Sequence, residues 1–130
     1  MHIVLVVDDS PTIRKMVKAS FQGSSEVQFL EAGTGLEAIE QLAVAHIGLV
    51  ILDLNMPDMH GIDVLKFVRR HQHYQQLPVI VLTTRGDDVS RETALRAGAT
   101  AYLTKPFVPQ TLSATAHALL APAPLRATLG

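Results

Sequence analysis

Five short aliphatic runs, spaced at fairly even intervals, constrain the fold of this chain more than any other feature of its sequence. The runs are Ile3–Val7, Val27–Glu31, Leu49–Leu52, Val79–Leu82 and Thr100–Leu103. The first, third and fourth are almost continuously apolar, as strands are when both faces of a sheet are covered. The second alternates in polarity and the fifth is short, which is typical of edge strands. The runs therefore predict a five-stranded sheet with a buried centre.

Segments with helical periodicity follow each of these runs. In the first segment, Ile13, Val17 and Phe21 fall on one face of a helix, and Arg14 and Lys18 are predicted to face away from the core. Strand and helix thus alternate five times along the chain. This alternation predicts an open α/β sheet with right-handed crossovers.

The bulk composition fits one domain with its own core. The chain has 130 residues, of which 48% are hydrophobic, and its formal net charge is −1, so there is no general attraction to nucleic acid or to an anionic membrane. It has no cysteine, which excludes disulfides and thiolate metal sites. We expect a cytoplasmic domain over residues 1–120 that contacts neither nucleic acid nor membrane. Residues 121–130, "APAPLRATLG", are expected to form a flexible tail or the stub of a linker.

Polar residues follow four of the five runs, at the points where the predicted strands end. They are Asp8 and Asp9 after the first run, Asp53 and Asn55 after the third, Thr83 and Thr84 after the fourth, and Thr104 and Lys105 after the fifth. Each has an ordinary explanation when taken alone, as a helix cap, a turn residue, a β-branched strand residue or a solvated lysine. However, ligands of open parallel sheets bind at the carboxyl ends of the strands, where all these residues coincide. The coincidence favours a functional site.

The chemistry of this set favours a metal-assisted phosphoryl site. Three carboxylates in close proximity repel one another unless a cation is present. Oxygen ligands with few carboxylates suit Mg²⁺, which also accepts a backbone carbonyl such as that of Asn55. With a lysine and a threonine hydroxyl nearby, Asp53 is a candidate carboxylate nucleophile toward a phosphoryl group.

Four segments of the sequence carry a family resemblance. The segments "VVDDS", "LDLNMPDMHG", "VIVLTT" and "AGATAYLTKPF" together closely resemble the receiver domain of two-component response regulators, most of all its single-domain chemotaxis (CheY-like) type. The resemblance spans about residues 2 to 120. It implies a flavodoxin-like, doubly wound α/β fold whose five-stranded parallel sheet has the order 2-1-3-4-5, with five helices.

The resemblance also implies a role for each acidic residue. Asp53 would be the phosphoacceptor, receiving its phosphoryl group from a sensor histidine kinase or a phosphotransfer protein. Asp8, Asp9 and Asp53, together with the backbone carbonyl of Asn55, would hold Mg²⁺.

Further roles follow for the residues at the ends of the fourth and fifth strands. Thr83 and Lys105 would bind the phosphoryl group, and Tyr102 would turn inward when Thr83 moves toward it. The bond before Pro106 would be cis. The protein would then be a switch rather than an enzyme, catalysing only its own phosphorylation and slow dephosphorylation. Its output would pass to another protein through helix four, strand five and helix five, from a monomer or a weak dimer.

A phosphate sink or relay would use the same residues and is the main alternative. Other functions fit the sequence less well. An aspartyl-phosphate phosphatase would need a general acid two residues after its nucleophile, but Asn55 stands there and cannot donate a proton in that way. A nucleotide or flavin site lacks support because "GTG" at 33–35 follows the second strand and no glycine-rich phosphate loop is present. A degenerate receiver would not need the complete set of polar residues.

Overall fold

The computed structural model describes residues 1–56 and 59–120, and these form ten alternating strands and helices. In chain order they are β1 (His2–Val7), α1 (Pro11–Ala19), β2 (Val27–Ala32), α2 (Gly35–Val44), β3 (Leu49–Leu52), α3 (Gly61–Arg70), β4 (Val79–Thr83), α4 (Asp88–Arg96), β5 (Ala101–Thr104) and α5 (Pro109–Leu120). The predicted tail at 121–130 lies outside the described residues. None of the helices described here has an apolar stretch of the length needed to cross a membrane.

The five strands form one parallel sheet in the order β2-β1-β3-β4-β5, as the family resemblance implied. The predicted edge strands, β2 and β5, lie at the two edges. Both extend one residue beyond their apolar runs, because Ala32 pairs with Val7 and Thr104 pairs with Thr83. Register with the neighbouring strand, rather than hydrophobicity, sets these two ends.

The core consists of two layers, one on each face of the sheet. Along β1, Leu5 and Val7 pack on the face covered by α2, α3 and α4, whereas Val4 and Val6 pack on the face covered by α1 and α5. These four side chains are at most 1% exposed. The central strands are therefore buried on both faces, which accounts for their continuous aliphatic sequence.

Local capping explains where three of the helices begin. The hydroxyl of Ser10 accepts a hydrogen bond from the Ile13 amide at 3.2 Å, with Pro11 at the first helical position. At α2, the Thr34 hydroxyl accepts from the Glu37 amide at 3.1 Å, and the Glu37 carboxylate accepts from the amide of Gly33, the residue before the cap, at 2.8 Å. Asp87 caps α4 in the same manner as Ser10 caps α1.

Helix α3 begins against the backbone that directly follows β3, and only glycine fits at its first position. A Cβ atom on Gly61 would lie 2.2 Å from the Asp53 carbonyl oxygen and 2.6 Å from the Leu54 Cα. The Gly61 amide also donates to the Leu54 carbonyl at 3.0 Å. The close approach holds the end of β3 against the start of α3.

At the opposite edge of the sheet, Arg69 ties α3 to two loops. Its guanidinium donates to the carbonyl of Gly98 at 2.9 Å, to the carbonyl of Leu77 at 2.7 Å and to the Thr100 hydroxyl at 3.3 Å. Gly98 has a φ of +113°, and a Cβ there would meet the Arg69 side chain. Burial lowers the pKa of Arg69. The loops before β4 and before β5 are thereby joined through one side chain.

Candidate functional site

Three of the predicted site residues continue the hydrogen-bond ladder of the sheet by one residue. The Asp8 amide donates to the Ala32 carbonyl at 3.0 Å, and the Asp53 amide donates to the Val7 carbonyl at 2.9 Å. The Lys105 amide donates in the same way to the Thr83 carbonyl at 2.8 Å. The sheet therefore fixes the main chain of each of these residues.

The carboxylates of Asp8, Asp9 and Asp53 converge at this edge. One oxygen from each lies within 4.8 Å of the others. Asp8 and Asp53 are 3% and 4% exposed, whereas Asp9 is exposed. Three hard oxygen donors with one open side fit Mg²⁺, which keeps several of its waters when it binds to proteins.

Lys105 provides the positive charge within this cluster. Its Nζ lies 2.7 Å from Asp8 Oδ2 and 3.5 Å from Asp53 Oδ1. One ammonium does not balance three carboxylates, so the cluster retains negative charge when all three are ionised. This residual charge also fits a divalent cation.

The environment of Asp53 favours its protonated form more than water does. Burial raises the pKa of the Asp53 carboxyl above its ordinary value, and the neighbouring Asp8 and Asp9 charges add to the increase. Lys105 and a hydrogen bond from the Asn55 backbone amide lower the pKa in part. A cation or a phosphoryl group with its counter-ions would relieve the same electrostatic cost.

Thr83 and Tyr102 meet the same loop between β4 and α4. Thr83 ends β4 with no exposed surface, and its hydroxyl accepts from the Arg85 amide at 3.4 Å. Tyr102 is 8% exposed and its hydroxyl donates to the Arg85 carbonyl, so its ring faces inward. Burial raises the pKa of the Tyr102 hydroxyl. The backbone of Arg85 thus links the two residues predicted to act as a switch.

The remaining predicted residues lie around this cluster. Asn55 is exposed and lines a groove of about 350 Å³ together with His60 and Arg85, between the start of α3 and α4. The Lys105–Pro106 peptide bond is cis.

One contact to the site was not predicted from the sequence. Arg14 was expected to face away from the core, but its Nη1 donates to the Asp8 carbonyl at 2.6 Å. Its Nε and the Lys18 ammonium both bind Glu31, at 2.8 and 2.7 Å. The expectation was therefore wrong for Arg14, because its long side chain curves back over the sheet edge. Lys18 pairs with Glu31 at the surface, as an outward-facing lysine can. Glu31, the last residue of the second apolar run, was the one sequence feature that could have indicated a partner for Arg14 at this edge of the sheet.

Comparisons with known proteins agree with this geometry. The family model described as the response regulator receiver domain matches residues 4–117. The chemotaxis protein CheY1 of Helicobacter pylori is 43% identical over 110 residues, covering 84% of this chain and 89% of the relative. The transcriptional regulatory protein SrrA of Staphylococcus aureus is 35% identical over 117 residues, covering 90% of this chain and 47% of the relative.

Solved structures give the same result. A putative response regulator from Chloroflexus aurantiacus has a TM-score of 0.86 at 33% identity, covering 92% of this chain and 97% of the other. The chemotaxis response regulator CheY4 of Vibrio cholerae has a TM-score of 0.83 at 37% identity, covering 92% and 99%. These matches and the carboxylate cluster are consistent with phosphorylation-dependent signalling and do not favour the phosphatase or nucleotide-binding alternatives. The chain belongs to the response regulator receiver domain family and is a receiver of the CheY-like type.

Proposed function

We propose that this protein accepts a phosphoryl group on Asp53 from a sensor histidine kinase or a phosphotransfer protein, with Mg²⁺ bound at the adjacent carboxylates. The observation that carries the proposal is the placement of Asp53, a buried carboxylate that lies 3.5 Å from the Lys105 ammonium and has an oxygen within 4.8 Å of one from each of Asp8 and Asp9. A carboxylate in this setting is held rigidly and is poorly solvated, as a nucleophile needs to be.

In the proposed reaction, an oxygen of Asp53 forms a bond to phosphorus while the bond from phosphorus to the donor nitrogen breaks, and the donor histidine takes the leaving electron pair. When bound, Mg²⁺ would supply positive charge to the phosphoryl oxygens. Asp8 and Asp9 would hold the cation together with the Asn55 carbonyl. Lys105 is close enough to Asp53 to pair with a phosphoryl oxygen, at the expense of its bond to Asp8.

The signal would leave through the loop between β4 and α4. The Thr83 hydroxyl would donate to a phosphoryl oxygen, and Tyr102 is bonded to the Arg85 carbonyl of the same loop. A change in this loop would alter the surface formed by α4, β5 and α5, to which an output protein would bind. Residues 106–120 contain no Asp, Glu, Lys or Arg, so the α5 part of this surface is uncharged. The relatives named as chemotaxis proteins favour chemotaxis as the pathway.

The test is incubation with a small-molecule acyl phosphate and Mg²⁺, followed by intact-mass measurement. We expect a gain of one phosphoryl group that disappears in Asp53→Asn and when EDTA replaces Mg²⁺. Asp63→Asn, which removes an exposed carboxylate on α3, is the matched control and should keep the gain. No gain in the unmodified protein, or a gain that survives in Asp53→Asn, would reject the proposal.

A further inference from the structure

Arg14 contacts the main chain of the carboxylate cluster without contacting a carboxylate of that cluster. We propose that Arg14 is a positioning residue for the cation site, and that it acts by fixing the peptide plane between Asp8 and Asp9. The inference rests on the proposed Mg²⁺ binding and extends it to a residue outside the ligand set.

Every polar group of Asp8 has a partner. Its amide donates to the Ala32 carbonyl at 3.0 Å, its Oδ1 accepts from the Ser10 amide at 2.9 Å, and its Oδ2 accepts from Lys105 at 2.7 Å. Its carbonyl oxygen accepts from Arg14 Nη1 at 2.6 Å. Because that carbonyl belongs to the peptide group that joins Asp8 to Asp9, its direction determines where the Asp9 side chain starts. Of these four bonds, the one from Arg14 acts most directly on Asp9.

Asp9 depends on this support more than the other two carboxylates. Asp8 and Asp53 are buried and each belongs to the extended ladder of the sheet, whereas Asp9 is exposed and lies beyond it. Packing therefore constrains Asp9 little, and the orientation of the preceding peptide group matters correspondingly more.

Arg14 is itself held in place by an ion-pair network. Its side chain is 18% exposed, and its Nε donates to Glu31 Oε1 at 2.8 Å. Lys18 occupies the other oxygen of Glu31 at 2.7 Å. The Lys18 and Arg14 hydrogen bonds lower the pKa of the Glu31 carboxyl, so this anchor stays ionised through the neutral range. The guanidinium can serve both partners at once because its donors form a rigid fork, which a lysine ammonium lacks.

Positioning and simple electrostatics make opposite predictions for the removal of Arg14. Removing a positive charge near a cation site should tighten Mg²⁺ binding if charge alone matters. Removing the support of the Asp8–Asp9 peptide should weaken it, as the loss of groups that orient metal ligands typically does. The sign of the change in affinity therefore separates the two explanations.

The experiment is isothermal titration of the unphosphorylated protein with Mg²⁺, which needs no phosphotransfer. We expect Arg14→Gln to raise the Mg²⁺ dissociation constant about tenfold. Lys18→Gln is the matched control, since it removes a positive charge from the other oxygen of Glu31 and directly removes neither the bond of Arg14 to Glu31 Oε1 nor its bond to the Asp8 carbonyl. Its dissociation constant should be unchanged or lower. Arg14→Lys keeps the charge and should still weaken binding severalfold.

The amide resonance of Asp9 in the metal-free protein gives an independent measurement. It should shift in Arg14→Gln and in Arg14→Lys, and should stay in place in Lys18→Gln. If Arg14→Gln and Arg14→Lys bind Mg²⁺ as Lys18→Gln does, the positioning role is rejected while the proposed function stands. If the unmodified protein binds no Mg²⁺, the cation site of the proposed function is rejected as well.

Discussion

The ammonium of Lys105 is bonded to Asp8 at 2.7 Å, a shorter distance than the 3.5 Å that separates it from Asp53. The closest contact of the lysine is therefore with Asp8, a candidate metal ligand, and not with Asp53, the candidate nucleophile. A cation at the carboxylates would compete with Lys105 for Asp8. Such competition would release the ammonium toward Asp53, where a phosphoryl group would need it.

Removing Lys105 should make Asp53 harder to ionise. Lys105 lowers the pKa of the Asp53 carboxyl against the effect of burial, so Lys105→Met should raise that pKa further. Titration of the Asp53 carboxyl carbon by NMR, without divalent cations, would measure the shift. Lys66→Met, which removes an exposed lysine of α3, should leave the titration unchanged. An equal curve for Lys105→Met and the unmodified protein would contradict the prediction.

The raised pKa of Asp53 has a consequence for stability. Because the folded state binds this proton more tightly than the unfolded state does, Asp53 lowers stability as pH rises from about 4, the ordinary value of the group, through its raised folded value. Asp53→Asn cannot ionise. At neutral pH in EDTA it should therefore melt at a higher temperature than the unmodified protein, and below about pH 4 the difference should vanish. Calorimetry across this range is the measurement, and a constant difference at all pH values would contradict the assignment.

Gly61→Ala should lower the stability of the fold through a clash beside the site. Its Cβ would lie 2.2 Å from the Asp53 carbonyl oxygen, and the main chain there cannot move without breaking the ladder. We expect a loss of about 1–3 kcal/mol in the free energy of unfolding, measured with urea, as for other overpacked sites. Gly86→Ala is the control, because its Cβ would meet only Thr104 Cγ2 at 3.4 Å, and it should be close to neutral.

Arg69→Met should destabilise the fold without touching the site. It removes hydrogen bonds to the Gly98 and Leu77 carbonyls and leaves these groups unpaired at the edge of the core. A loss of about 2–4 kcal/mol is expected. Arg70→Met changes the exposed neighbouring residue and should stay within about 0.5 kcal/mol. Equal urea midpoints for the two variants would show that the bonds of Arg69 to these two loops do not stabilise the fold.

The strands could be predicted from the sequence because each central one is buried on both faces and therefore reads as an unbroken aliphatic run. The convergence of Asp8, Asp9 and Asp53 followed from the rule that parallel strands end at one edge. Only the family resemblance gave the order of the strands, since crossover direction and neighbour choice leave little trace in local composition.

The side-chain paths could not be predicted in the same way. Helical periodicity gives the direction of each Cβ, and for Arg14 this direction leads away from the core. The guanidinium lies several bonds further on and returns to Asp8 over the end of the sheet. The contacts of Arg69 could not be predicted either, because its partners are backbone carbonyls, which every residue has.

The amides of Asp8, Asp53 and Lys105 each extend the ladder of the sheet by one bond. Groups held in this way exchange their hydrogens with solvent when the ends of the strands open, so their protection measures how firmly the sheet is closed at the site. A bound cation or a phosphoryl group that slows exchange at these three amides would thus report stabilisation of the sheet edge itself. A change confined to the loops would instead slow hydrogen exchange at residues outside the ladder, such as Asn55 and Arg85.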